Sequence, residues 1–215
     1  LHLLSRRQRQ MCIRDRSEDL RQKVREKRIG NTFLFVVDAS GSMGARERMR
    51  AVKGAIFYML QEAYQKRDRV GMVAFRRQKA ELLLPITRSV DLAQKCLAEM
   101  PTGGKTPLAD GLSTALVTLG MLNKKDSELE PILILVTDGR ANAIEENSGD
   151  PVESALKMAE KIRKAKITSV VIDTETDFIK LGVAKAVAKA MGATYYSLRS
   201  LSQEQILRIV RNLDV

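Results

Sequence analysis

Histidine is nearly missing from this chain. Of 215 residues only His2 carries an imidazole, which excludes a histidine general base inside the folded region. Cysteine is almost as scarce. Cys12 and Cys96 are too few for a disulfide framework and point to a reducing compartment, most simply the cytoplasm. No apolar run approaches the length that spans a bilayer, and the first residues lack a signal-peptide pattern. Repeats and low-complexity linkers are absent as well. The length suits one well-buried α/β domain with a tail and is too short for two domains of ordinary size.

Charge is plentiful but uneven. Residues 1–30 hold ten Lys/Arg against four Asp/Glu, so this leader carries +6 of the formal +11. The rest of the chain is a domain with scattered lysines. The leader has no interleaved aromatics on which bases could stack, and no nucleic-acid partner is expected. The chain begins with Leu1, which reads as a fragment of a longer frame. Met11-Cys12-Ile13-Arg14-Asp15-Arg16 resembles translated adapter sequence, so residues 1–16 are expected to be a sequencing artefact and carry no function here. The expected division is a basic leader at 1–30 and one domain at 31–215.

From Asn31 onward, strands and helices alternate, the pattern of a mostly parallel sheet covered by helices on both faces. Met49, Val52, Ala55, Ile56, Met59, Leu60 and Ala63 recur at helical spacing after a first apolar strand. Val70–Phe75 and Ala80–Leu84 are joined too closely for a crossover helix, which predicts one antiparallel hairpin at an edge. Arg76, Arg77 and Lys79 read as a solvated edge that discourages further pairing. A short helix is expected near Asp91–Met100 and another carrying Leu108, Leu112, Ala115, Leu116 and Leu119. Ile132–Val136, Ile167–Ile172 and Thr194–Ser197 read as further strands. Asp150-Pro151-Val152-Glu153 opens a helix, Ile179–Met191 forms another, and Ser202 with Gln205 boxes a closing one over Ser202–Leu213.

The first strand ends in an acid. Phe33-Leu34-Phe35-Val36-Val37 leads into Asp38-Ala39-Ser40-Gly41-Ser42, where residues two apart in extended chain point the same way. Asp38, Ser40 and Ser42 can then aim at one point while Gly41 permits the turn. Ligands of open α/β sheets collect at the carboxyl ends of the strands. Thr106, ahead of a helix, and Asp138, after the strand Ile132–Val136, add two more oxygens. An all-oxygen set suits a small hard cation: Mg²⁺, with Mn²⁺ the alternative. Both serine hydroxyls and one of Thr106 or Asp138 bind directly, the other carboxylates act through water, and one position stays open for an outside carboxylate. Singly, Ser40, Ser42 and Thr106 read as helix caps and Asp138-Gly139 as a turn. Together, at the right strand ends and in the right order, they resemble the metal-ion-dependent adhesion site of von Willebrand factor A domains. Gly104-Lys105-Thr106 is not a phosphate loop, because Glu99 stands where that motif needs glycine. Asp173-Thr174-Glu175 reads as a solvated strand end, with a rim contact to a partner as the alternative.

The segments 28–43, 48–55, 82–90, 103–112, Val136-Thr137-Asp138-Gly139-Arg140-Ala141-Asn142 and Val171-Ile172-Asp173-Thr174-Glu175 are similar to the C-terminal domain of the magnesium chelatase D subunit. The likeness runs over roughly residues 20–213. It implies a von Willebrand factor A, Rossmann-like fold and places Asp38, Ser40, Ser42, Thr106 and Asp138 at the family's metal positions. Lys105 replaces a glycine common in relatives and leaves the site intact. In that family an ATP-dependent complex inserts Mg²⁺ into protoporphyrin IX on the way to chlorophyll. An AAA+ motor subunit hydrolyses ATP, and a large porphyrin-binding subunit performs the insertion. The D subunit is a non-hydrolysing platform. The resemblance thus implies a Mg²⁺-dependent docking domain without catalytic or organic-cofactor residues, whose partners complete the metal site with an acidic side chain. Cobaltochelatases of cobalamin synthesis share the architecture. The alternative is a cation-dependent adhesion or ligand-binding domain outside any chelatase.

Overall fold

The computed structural model describes residues 30–40, 45–66, 68–77, 79–98, 103–125, 129–139, 150–175, 182–198 and 201–213. The leader up to Ile29, together with Gly41, Ser42, Met43 and Arg140–Asn142, lies outside them. The strands are β1 (Thr32–Asp38), β2 (Arg69–Arg76), β3 (Lys79–Thr87), β4 (Pro131–Thr137), β5 (Thr168–Asp173) and β6 (Thr194–Ser197). The helices are α1 (Ala45–Lys66), α2 (Val90–Cys96), α3 (Leu108–Lys125), α4 (Pro151–Lys164), α5 (Val183–Met191) and α6 (Gln203–Arg211). They build one six-stranded sheet in the order β3-β2-β1-β4-β5-β6. All neighbours pair in parallel except β2 and β3, the expected antiparallel hairpin.

The sheet is buried on both sides, and the residues of β1 show how. Phe33, Phe35 and Val37 pack with Val52 and Ile56 of α1, Ala93 of α2 and Ile206 of α6. Leu34 and Val36 point the other way, to Leu108 and Leu112 of α3, Ala159 of α4 and Val187 of α5. A strand apolar on both faces must be covered on both, which is why its sequence shows no polar alternation. Each fully buried Phe or Leu contributes about 2 kcal/mol by leaving water. The stripe foreseen on α1 is buried from Met49 through Leu60. Among the described residues no helix is long and apolar enough to cross a membrane.

Local signals set the helix starts. Asp150 caps α4 by accepting the Val152 N–H, with Pro151 in the first turn. Glu153 in the first turn pairs with Lys157 at 2.7 Å along the helix. At α6 the box is complete: Ser202 Oγ accepts from Gln205 N and Gln205 Oε1 from Ser202 N. Three boundaries differ from the sequence reading by more than two residues. α2, expected near Asp91–Met100, ends at Cys96 with Leu97 as its C-cap. β3 continues through Pro85 to Thr87, which an edge strand tolerates because its outer side needs no N–H. The described part of the helix expected over Ile179–Met191 starts at Val183, behind Gly182 at φ 69°.

The chain runs outward from β1 to β3 and then returns to lay β4 against the other side of β1. The crevice at the carboxyl ends of β1 and β4 is therefore the topological switch point of the sheet, the place where such folds bind ligands.

Candidate metal centre

Asp38 is the last residue of β1 and is fully buried. Ser40 N–H donates to its Oδ1 at 2.9 Å, which folds the strand end into a tight turn. Ala39 extends the ladder by donating to the Phe75 carbonyl at 3.1 Å. Its own carbonyl accepts Gly103 N–H at 2.8 Å and so draws in the loop before α3. Thr106 on that loop is 1 % exposed and Ser40 3 %. The loop is pinned from outside as well. A Cβ on Gly104, at φ 97°, would lie 3.0 Å from Arg77 Cα in the hairpin turn, so only glycine permits the approach. Asp110 of α3 accepts the Ala80 N–H of β3.

β4 delivers the second acid. Thr137 Oγ1 donates to Asp38 Oδ2 at 3.3 Å and accepts Gly139 N–H at 3.1 Å, with Asp138 between them only 5 % exposed. The Thr137 carbonyl accepts both the N–H (2.9 Å) and the hydroxyl (3.2 Å) of Thr174, the residue after β5. Three strand ends are thereby tied together around two carboxylates.

A guanidinium lies among them. Arg48 of α1 donates through Nε to the Asp38 carbonyl and through Nη1 to Thr174 Oγ1, each at 3.4 Å. Its Nη1 stands 3.4 Å from Asp138 Oδ2 and its Nη2 3.9 Å from Asp38 Oδ2. Burial pushes the Asp38 carboxyl up to about 6, and the Asp138 charge pushes the same way. Arg48 and the Ser40 hydrogen bonds oppose the shift in part. Negative charge is therefore concentrated in a dry crevice, which a small cation would relieve. Among the described residues no three His, Cys, Asp or Glu side chains converge as ligands. The donors available are instead two carboxylates and the hydroxyls of Ser40 and Thr106, an all-oxygen set that fits a hard divalent cation and not a soft one.

Of the residues singled out from sequence, Asp38, Ser40 and Asp138 meet at this edge, and Thr106 joins on the loop drawn in by Gly103. Ser42 lies outside the described residues. The reading of Asp173-Thr174-Glu175 as a solvated strand end is corrected: all three are buried, because β5 is an inner strand covered by β6 and the β4 exit. Lys105 is exposed, away from the buried donors. Sequence reasoning missed Thr137, Thr174 and Arg48. A signal for Arg48 existed, since position 48 continues the apolar stripe of α1 at 52, 55, 56 and 59, where a solvated arginine would not sit.

A family model for the von Willebrand factor type A domain matches residues 33–141. The chain is 43 % identical over 175 residues to an uncharacterized protein of Methanocaldococcus jannaschii, covering 80 % of this chain and 99 % of that one. It is 36 % identical over 202 residues to the magnesium-chelatase 67 kDa subunit of Heliobacterium mobile, covering 91 % of this chain but 30 % of the subunit. The chain thus spans about a third of that longer relative. Among solved structures, the SpRpn10 VWA domain superposes with a TM-score of 0.62 at 12 % identity, over 84 % of this chain and 95 % of that one, a likeness of fold.

Proposed function

This chain belongs to the von Willebrand factor type A domain family, and from that membership we propose that it is a divalent-cation-dependent docking domain of an ATP-dependent metal chelatase. The observation that carries the proposal is the meeting of Asp38 and Asp138, with Ser40 beside them and Thr106 on the adjoining loop, in a buried crevice at the switch point. In this reading Asp38, Ser40, Thr106 and Asp138 hold the ion together with Ser42, and residues 31–215 form the docking unit. The ion is Mg²⁺, with Mn²⁺ able to replace it. Once bound it supplies a positive centre that an outside carboxylate can reach. Asp38 orients the β1 turn through Ser40 N–H, and Thr137 and Thr174 hold the second acid in register with the first.

The likeness to a chelatase subunit supports the choice of partner. The partners would be an AAA+ motor subunit and a large porphyrin-binding subunit, and an acidic side chain on one of them would complete the coordination. The bound ion is a bridge and is distinct from the ion inserted into a tetrapyrrole during chlorophyll or cobalamin-type synthesis. The domain docks, and the chemistry belongs to its partners.

The test is capture of the AAA+ and porphyrin-binding subunits of a magnesium chelatase, each in Mg²⁺ and in EDTA, by the wild-type chain and by Asp38→Ala. Capture that requires both Mg²⁺ and Asp38 is expected. Equal capture by Asp38→Ala, with its circular dichroism unchanged, would sink the bridging role. Mg²⁺ binding without capture of either subunit would favour a cation-dependent ligand-binding domain outside any chelatase.

A further inference from the structure

Among the described residues Arg48 is the one Lys or Arg that is fully buried, at 3 % exposure. Desolvating a guanidinium is expensive unless its donors are matched, so its surroundings say what it is there for. The matches come from three strand ends at once: the carbonyl and carboxylate of Asp38 closing β1, the carboxylate of Asp138 after β4, and the hydroxyl of Thr174 after β5. Its distances to the carboxylate oxygens, 3.4 and 3.9 Å, are longer than the roughly 2.7–2.9 Å of a tight charge-assisted pair. The guanidinium therefore offsets the charge of the two acids at a distance looser than a tight pair.

We propose that Arg48 is the built-in counter-cation of this crevice: it holds Asp38 and Asp138 in place before a divalent ion arrives, and by its charge it weakens the binding of that ion. The inference rests on the cation reading of the preceding section and adds a residue that touches neither the partner nor any reacting group. Two consequences follow from electrostatics. Without a bound ion, the two buried acids repel each other, and Arg48, placed against both carboxylates, offsets the repulsion together with the Ser40 hydrogen bonds to Asp38. With a divalent ion bound beside them, a fixed positive charge a few ångströms away opposes it in a dry site, where screening is weak. The ion then stays exchangeable, held firmly only when an outside carboxylate completes its shell. Arg48 also bonds Thr174, so the β5 exit loop is mechanically part of the same unit.

The test uses the full chain, Arg48→Met and Arg48→Lys, with Mg²⁺ and Mn²⁺ affinities from calorimetry and thermal unfolding in EDTA. Methionine keeps the volume and drops the charge. Arg48→Met should bind either ion about tenfold more tightly or better, and melt at least about 5 °C lower in EDTA, with the gap narrowing as Mg²⁺ is added. Arg48→Lys keeps the charge and loses the fork, so its affinity should stay within about threefold of wild type. Unchanged or weaker ion binding by a natively folded Arg48→Met overturns the inference, as does an unaltered melting temperature in EDTA. If Arg48→Met does not fold even with Mg²⁺, Arg48→Lys decides: tightening there also overturns it, and wild-type affinity with a lowered EDTA melting temperature supports it. A wild-type chain that binds neither ion refutes the cation reading itself, a result separate from a binding wild type with an unaltered Arg48→Met.

Discussion

Two strands of this sheet end in aspartate, and the two ends begin alike. Asp38, closing β1, and Asp173, closing β5, each accept, at Oδ1, the N–H of the residue two further on, at 2.9 and 2.8 Å. They part at the second oxygen. Asp173 Oδ2 accepts the phenol of Tyr195 from β6, whose ionisation is pushed up to about 12 by burial and by that bond. A neutral donor that keeps its proton closes the group off. Asp38 Oδ2 instead takes a 3.3 Å hydroxyl contact from Thr137, sees Arg48 at 3.9 Å, and shares its crevice with Asp138. The same turn thus serves as a hydrogen-bonded structural joint at β5 and, at β1, as one side of a crevice in which two acids share one guanidinium. What separates them is which strand lies alongside: β4 with its own acid beside β1, and β6 with its tyrosine beside β5.

The largest expected effect contrasts the two acids directly. Asp38→Asn should abolish the rise in melting temperature produced by Mg²⁺ while leaving the EDTA melting temperature unchanged or higher. Asp173→Asn should keep the whole Mg²⁺ response and lose about 1–2 kcal/mol of stability, since a charged acceptor is replaced by a poorer one. Equal Mg²⁺ responses from the two variants would break the contrast. Next comes the loop that brings Thr106. Gly104→Ala places a Cβ against Arg77 at a positive φ and should cost about 1–3 kcal/mol in urea unfolding, with a weaker Mg²⁺ response because the loop shifts.

The third prediction concerns pH. The folded Asp38 carboxyl titrates near 6 against an ordinary 3.8, so the native chain retains a proton that the unfolded chain releases. Its contribution to stability is present below about pH 3.8 and is lost as pH rises through 6. In EDTA, the stability of Asp38→Asn relative to wild type should therefore grow across that window, and Mg²⁺ should erase the trend at its upper end. A flat difference would mean that burial does not raise the Asp38 carboxyl. Smallest is Tyr195→Phe, expected to cost about 1 kcal/mol and leave Mg²⁺ binding untouched. In wild type that tyrosine's contribution holds below pH 10 and fades as pH climbs through 12, followed by phenolate absorbance.

Much of the fold was legible beforehand because local rules and burial agree. The run Phe33–Val37 has no polar alternation, and a strand like that belongs inside a parallel sheet. Ser202 and Gln205 announce a capping box through backbone chemistry alone, and the box is there. Asp38 and Asp138 stood out only jointly with Ser40, Ser42 and Thr106, since a single acid at the end of a buried strand can equally be a structural joint, as Asp173 is. The apolar run Ala80–Leu84 understated β3, which continues through Pro85 to Thr87 because pairing with β2, and not apolar content, sets its length. Asp173, Thr174 and Glu175 misled for a similar reason: whether a polar strand end is wet depends on what packs over it.

By itself the sequence determined the order of the elements, the caps of α4 and α6, the one antiparallel hairpin and the acids at two strand ends, since each follows from the period of apolar residues or from a bond within a few residues. The tertiary structure alone decided that β4 returns beside β1, that the loop of Thr106 is drawn in by Ala39 and held over Arg77, and that Arg48 is buried between Asp38 and Asp138. Those contacts join residues far apart in the chain. Their partners are selected by the shape and charge of the closed crevice, which exists only once both sides of the sheet are packed.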